Sequence, residues 1–162
     1  MDIEKRIRTL VVLIIGALLF CQCSVNKPKA IEFEVIPIQF QVAYQEIGPK
    51  LFILKSEEDL KKAMALLKME APEGLPDLSF YFQQHTVVLL YAGMQRSSGF
   101  MFGAEAVQVQ KQSVTITARL LQPASDCVVS SVITYPMQLI AIEHTGGTDF
   151  NLDLVNAIRA CR

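Results

Sequence analysis

The chain has 162 residues, of which 51% are hydrophobic, enough for one domain with its own core plus a targeting segment. Its formal net charge of -1 supplies no basic field to hold a phosphate backbone, which excludes nucleic acid as a partner. Trp is absent, and two His leave little raw material for a metal centre.

At the start of the chain, Lys5, Arg6 and Arg8 precede an unbroken apolar run from Leu10 to Phe20. That run is shorter than the roughly 20 residues a spanning helix needs, and it fits the apolar core of a secretory signal peptide. The alternative reading is an uncleaved N-terminal anchor helix. Leu18-Leu19-Phe20-Cys21 is similar to a bacterial lipoprotein cleavage site, with Leu18 well placed and Phe20 larger than the small residue usual there. Cys21 is therefore the candidate lipidation residue, and residues 1–23 form the signal or anchor segment. The polar stretch 24–30, with Lys27-Pro28-Lys29, reads as a tether.

Ile31 to Ile36 alternates apolar and polar residues, the period of a half-buried strand, and Phe40 to Tyr44 continues it after Pro37. Leu51 to Lys55 is a short apolar strand. Ser56 then opens a helix: its hydroxyl caps free N–H groups, Asp59 follows three residues on, and Glu57, Glu58 and Asp59 sit at the positive end of the dipole. Leu60, Ala63, Met64 and Leu67 recur at helical spacing and give it one buried face, and Pro72 stops it. Phe80-Tyr81-Phe82 is an aromatic cluster read as core, with alternation burying Phe80 and Phe82 and exposing Tyr81, or the reverse.

Thr86 to Ala92 is a continuous β-branched and apolar run, a central strand. Gly93 to Gly99 is a loop or hairpin turn, and Phe100 to Val109 and Ser113 to Leu121 alternate as strands. Pro123 to Asp126 turns the chain. Val128 to Thr134 and Met137 to Ile142 read as two further strands split by Pro136. After Gly146-Gly147 comes a short helix over Phe150 to Ala160, capped by Thr148 or Asp149. The expected architecture is α+β: a mostly antiparallel, curled sheet of about seven short strands packed on one main helix, behind the N-terminal segment. The globular domain spans 31–145, with 146–162 as a helical tail.

Between Phe82 and Ile142 the chain resembles the PrcB C-terminal domain family. Val87 to Ala92 stands for that family's strand, Gly93 for the Gly after it, Ser97 for the Ser/Thr of the turn, Gly99 for the second Gly of its Gly pair and Phe100 for its aromatic residue. Phe102, Ala104 and Val107 take the inward positions that follow, and Pro123 and Pro136 match its two later prolines. Ser98 replaces the first Gly of the pair, and Gln95 stands where the family often has Arg or Lys. The family is named for a lipoprotein subunit that assembles and stabilises a secreted subtilisin-like protease. The resemblance thus implies an accessory or binding role in the bacterial envelope, membrane-anchored and facing the periplasm, with an envelope protein or protease as partner. A small-ligand or peptide-binding periplasmic domain is the alternative.

No catalytic residue is assigned. His85, His144, Asp126, Asp149, Ser97 and Ser98 could in principle supply a triad, but none sits in a nucleophile-elbow or other catalytic motif. No Cys-x-x-Cys or His-x-x-x-His spacing occurs among Cys127, Cys161 and the two His, so neither a metal nor a cofactor is expected. The candidate protein-contact loop comprises Gly93, Met94, Arg96, Ser97, Ser98, Gly99 and Phe100: an adaptable, partly apolar tip carrying one fixed charge. An oxidising compartment permits a bridge between Cys127 and Cys161, and two free thiols are the equal alternative.

Overall fold

The computed structural model describes residues 27–38, 48–69 and 77–161. The apolar run before Cys21, Cys21 itself and the strand extension Phe40 to Tyr44 lie outside the described residues. Among the described residues, eight strands and two short helices follow in chain order: β1 Lys29–Ile31, β2 Phe33–Ile36, β3 Lys50–Leu54, α1 Glu57–Leu66, α2 Ser79–Gln84, β4 His85–Tyr91, β5 Met101–Gln110, β6 Ser113–Pro123, β7 Met137–Glu143 and β8 Asp149–Arg159.

The strands form two four-stranded sheets rather than the single curled sheet expected from sequence. One has the order β1-β5-β6-β8 and the other β2-β7-β4-β3. The pairings are antiparallel except for β6 with β8, which run parallel in register from Ser113↔Asp149 to Pro123↔Arg159. The second sheet is buried on both faces. Val88, Leu90, Ile140 and Ile142 point toward Val107, Val114, Ile116 and Ala118 of the first sheet. Val87, Leu89, Tyr91, Leu139 and Ala141 point the other way, toward Leu60, Ala63, Met64 and Leu67. A strand covered on both sides has no polar face to present, which is why β4 reads as an unbroken apolar run.

Helix α1 forms as its sequence dictates. Ser56 Oγ accepts from the Asp59 amide at 3.3 Å, and Asp59 Oδ2 accepts from the Lys55 amide at 3.0 Å. Leu60, Ala63 and Met64 are its buried face, and Leu67 at the C-cap is fully buried.

Several expectations are corrected. The alternating segment from Ile31 to Ile36 is two strands: Ile31 pairs with Val107 in one sheet and Phe33 with Ile142 in the other, so the chain changes sheets at Glu32. Lys29 and Ala30, read as tether, belong to β1. Phe80 to Phe82 is a helical turn in α2, with Phe80 57% exposed and Tyr81 and Phe82 packed on the core. The C-terminal helix over Phe150 to Ala160 is instead β8. Phe150, Leu152 and Leu154 fall at a period of two and pack between the sheets, and the free edge of β6 gives their backbone a ladder. Val128 to Thr134 is not a regular strand: its one bridge is Thr134 with Gln95, and without a neighbouring ladder its β-branched residues have nothing to pair with.

Candidate functional site

The loop after β4 is not a hairpin, because β4 and β5 lie in different sheets. It carries the chain from one layer to the other. Gly93, at φ 79°, makes the first turn in a region where a side chain would be strained. Ser98 is not among the residues with positive φ, so it fits this turn without strain.

A second segment, the arm from Ala124 to Pro136, runs alongside and holds the loop. Ala92 N–H donates to the Pro136 carbonyl at 3.0 Å. Gln95 and Thr134 exchange two backbone bonds, at 2.8 and 2.9 Å, and Ser98 N–H donates to the Ser130 carbonyl at 3.1 Å. Thr134 Oγ1 donates to the Ser97 carbonyl at 2.8 Å, and Gln95 Nε2 donates back to the Ala92 carbonyl at 3.2 Å. Gly99 is buried where loop, arm and β6 meet: a Cβ there would lie 2.5 Å from Val129 Cγ1 and 2.9 Å from Pro123 Cγ. The arm is itself anchored. Cys127 and Cys161 are joined by a disulfide, with Cα atoms 5.5 Å apart, and Ala124 N–H donates to the Arg159 carbonyl at 3.0 Å.

The seven sequence-selected residues are thereby divided. Ser98 and Phe100 line a hollow of about 340 Å³ whose other wall is Ile133, Tyr135, Pro136 and Met137. Gly93 and Met94 face a different hollow of about 570 Å³, at the open end of the two sheets, with Pro49, Leu154 and Asn156. Arg96 is exposed, lines neither hollow and, among the described residues, pairs with no carboxylate. The arm supplies a wall that sequence reasoning missed. Its signal was present as a β-branched run, and Val128, Val132 and Ile133 in it are exposed. Behind the wall, Tyr91 is fully buried, and burial first, then the neighbouring Tyr135, pushes its phenol pKa up.

The histidines sit at the opposite end of the second sheet. His85 opens β4, with its ring centroid 6.0 Å from that of Tyr81, and its buried Nδ1 has no partner among the described residues. His144 Nδ1 lies 3.3 Å from Thr86 Oγ1. Among the described residues neither His is bonded to a serine, a thiol or a carboxylate, and no group of three or more His, Cys, Asp or Glu is placed to hold a metal ion. Tyr81 donates to Glu34 Oε1 at 2.8 Å, and that bond raises the tyrosine pKa. No helix among the described residues is long and apolar enough to cross a membrane.

Residues 86–143 match the sequence profile of the family described as PrcB C-terminal. The match begins in β4, takes in the loop, β5, β6 and the arm, and closes at the end of β7. No curated protein and no solved structure gives a significant match.

Proposed function

We propose, on the premise that residues 86–143 are a PrcB C-terminal domain, that this chain is a non-catalytic accessory protein of the bacterial envelope. It is exported, held at a membrane by its N-terminal segment, and engages another envelope protein, with a secreted protease the first partner to test. The observation that carries the reading is the loop–arm surface. Arg96 is exposed there and, among the described residues, pairs with no carboxylate; Met101, Val132 and Ile133 are also exposed, and five hydrogen bonds fix the loop backbone to the arm. An exposed arginine and exposed apolar side chains on a hydrogen-bonded loop and arm have the composition of a protein contact, and the fixed frame lowers the ordering cost of binding. The Cys127–Cys161 disulfide supports export, since such bonds persist in oxidising compartments. The basic start and apolar run before Cys21 support the same location.

Purification of the full chain from envelope extract tests the reading. Co-purification of one protein at constant stoichiometry, lost in Arg96→Glu, is the expected result. Wild-type recovery of that protein by Arg96→Glu would remove the loop from the contact. Mass spectrometry of the mature N-terminus addresses the anchor: an acylated Cys21 fits a lipoprotein, and an unmodified Met1 rules out both lipidation and cleavage. A second reading rests on the hollow beside Phe100, Tyr135 and Met137, whose volume of about 340 Å³ would take a small ligand or one peptide side chain. Co-purification of a small molecule in place of a protein favours it.

A further inference from the structure

The outer edge of β8 has no strand beside it among the described residues, although β8 is one of the two longest strands. Its backbone polarity can be read from its ends. The Asp149 N–H donates to Gln112 and the Arg159 carbonyl accepts from Ala124, both on the β6 side. Odd-numbered residues therefore face β6. Phe150, Leu152, Leu154, Asn156 and Ile158 turn their N–H and C=O groups to the open edge. An exposed edge of this length invites another strand unless it is guarded. The disulfide joins Cys161, just beyond β8, to Cys127 of the arm, on the β6 side.

We infer that β8 pairs antiparallel with β8 of a second copy of this chain, about a two-fold axis at Leu154, joining the two first sheets into one continuous sheet. The argument is self-complementarity. With Leu154 opposite Leu154, the whole length of β8 overlaps, and the outward groups meet as hydrogen-bonded pairs, supplying about ten interchain bonds. On the solvent face Asp149 comes opposite Arg159 of the second copy, and symmetry makes that ion pair twice. On the inner face Phe150 comes opposite Ile158, which is 76% exposed in the single chain and so gains an apolar cover. Neighbouring registers lack this match. An axis at Asp153 sets that carboxylate against itself, and an axis at Val155 leaves Asp149 beyond the end of the facing strand. Arg159 now reaches Gly99 O through a long 3.4 Å contact, which the carboxylate of a second copy replaces with a full charge. This interface lies outside the matched residues 86–143 and is independent of the loop–arm reading.

Sedimentation equilibrium on the purified full chain tests it. The wild type is expected to be a reversible dimer. Asp149→Arg and Arg159→Asp, each placing like charges together at both ends of the interface, weaken dimerisation about tenfold or more. The combined exchange Asp149→Arg/Arg159→Asp restores it, which also answers any concern that a single variant has lost its fold. A monomer at every concentration, a dimer indifferent to the single changes, or failure of the combined exchange to restore association overturns the inference. Association through the apolar N-terminal run would respond to none of these changes and would be recognised by that.

Discussion

Gly99→Ala probes how the loop is held against the arm. A Cβ at this buried position would stand 2.5 Å from Val129 Cγ1, 2.9 Å from Pro123 Cγ and 3.1 Å from Pro123 Cβ. Real Cβ contacts do not approach so closely, so something must move. The Pro123 ring is rigid and ends β6, and Val129 has little χ1 freedom. The backbone must therefore give, which costs about 1–3 kcal/mol by analogy with overpacked cores. With a urea m-value of about 2 kcal/mol/M, the unfolding midpoint drops by roughly 0.5–1.5 M. Val129→Ala removes the closest offending atom. The double variant should be about 1 kcal/mol more stable than the sum of the two single changes, a coupling expected only for residues in contact. Urea denaturation of the four proteins gives the cycle. A Gly99→Ala protein within about 0.5 kcal/mol of wild type, or strict additivity with Val129→Ala, would refute the packing argument.

Other outcomes follow from the same physics. Ser56→Ala removes the side-chain acceptor for the Asp59 amide and should cost about 1 kcal/mol in denaturant unfolding, whereas Ser56→Asp should restore most of it. Replacing both Cys127 and Cys161 with Ser opens a cross-link spanning a sequence separation of 34, for which the chain-entropy estimate is about 3–4 kcal/mol. Limited proteolysis of that variant should cut first in the arm near Val128. Tyr81 and Tyr91 both have phenol pKa values raised in the fold, Tyr81 first through its bond to Glu34 and Tyr91 first through burial. A raised folded pKa means the stabilisation is complete below the unfolded tyrosine value of about 10 and is lost as pH climbs through the folded value. Stability should therefore fall on the alkaline side. Ultraviolet difference titration should show Tyr91→Phe removing a late-titrating phenol; an unchanged titration curve contradicts the burial argument.

The elements legible in the sequence were those whose signals are local. The Ser56 cap and the spacing of Leu60, Ala63, Met64 and Leu67 specify α1 without outside help, and the structure places all four against the second sheet. The apolar run from Val87 to Tyr91 likewise announces a strand covered on both faces. What was hidden depends on pairing between distant segments. β8 carries Leu152 and Val155 at a spacing a helix would also use, and only the free edge of β6 decides for a strand. Val128 to Thr134 has the composition of a strand but no neighbour to form a ladder with. The split at Glu32 is invisible because residues on either side keep the same alternation while joining different sheets. For the candidate site, the Gly and Arg residues single out the loop in the sequence. The opposing wall at Ile133, Tyr135 and Met137 lies more than thirty residues on and is brought there by the sheet-to-sheet crossover.

Photo-crosslinking from position 96 in intact cells reports whether the loop–arm surface meets another protein. A photoreactive residue at position 96, on the loop–arm surface, is compared with one at Thr115 on the outer face of the first sheet. One protein adduct from position 96 that position 115 does not give is the expected result. No protein adduct at 96, or the same adducts from both positions, would contradict it.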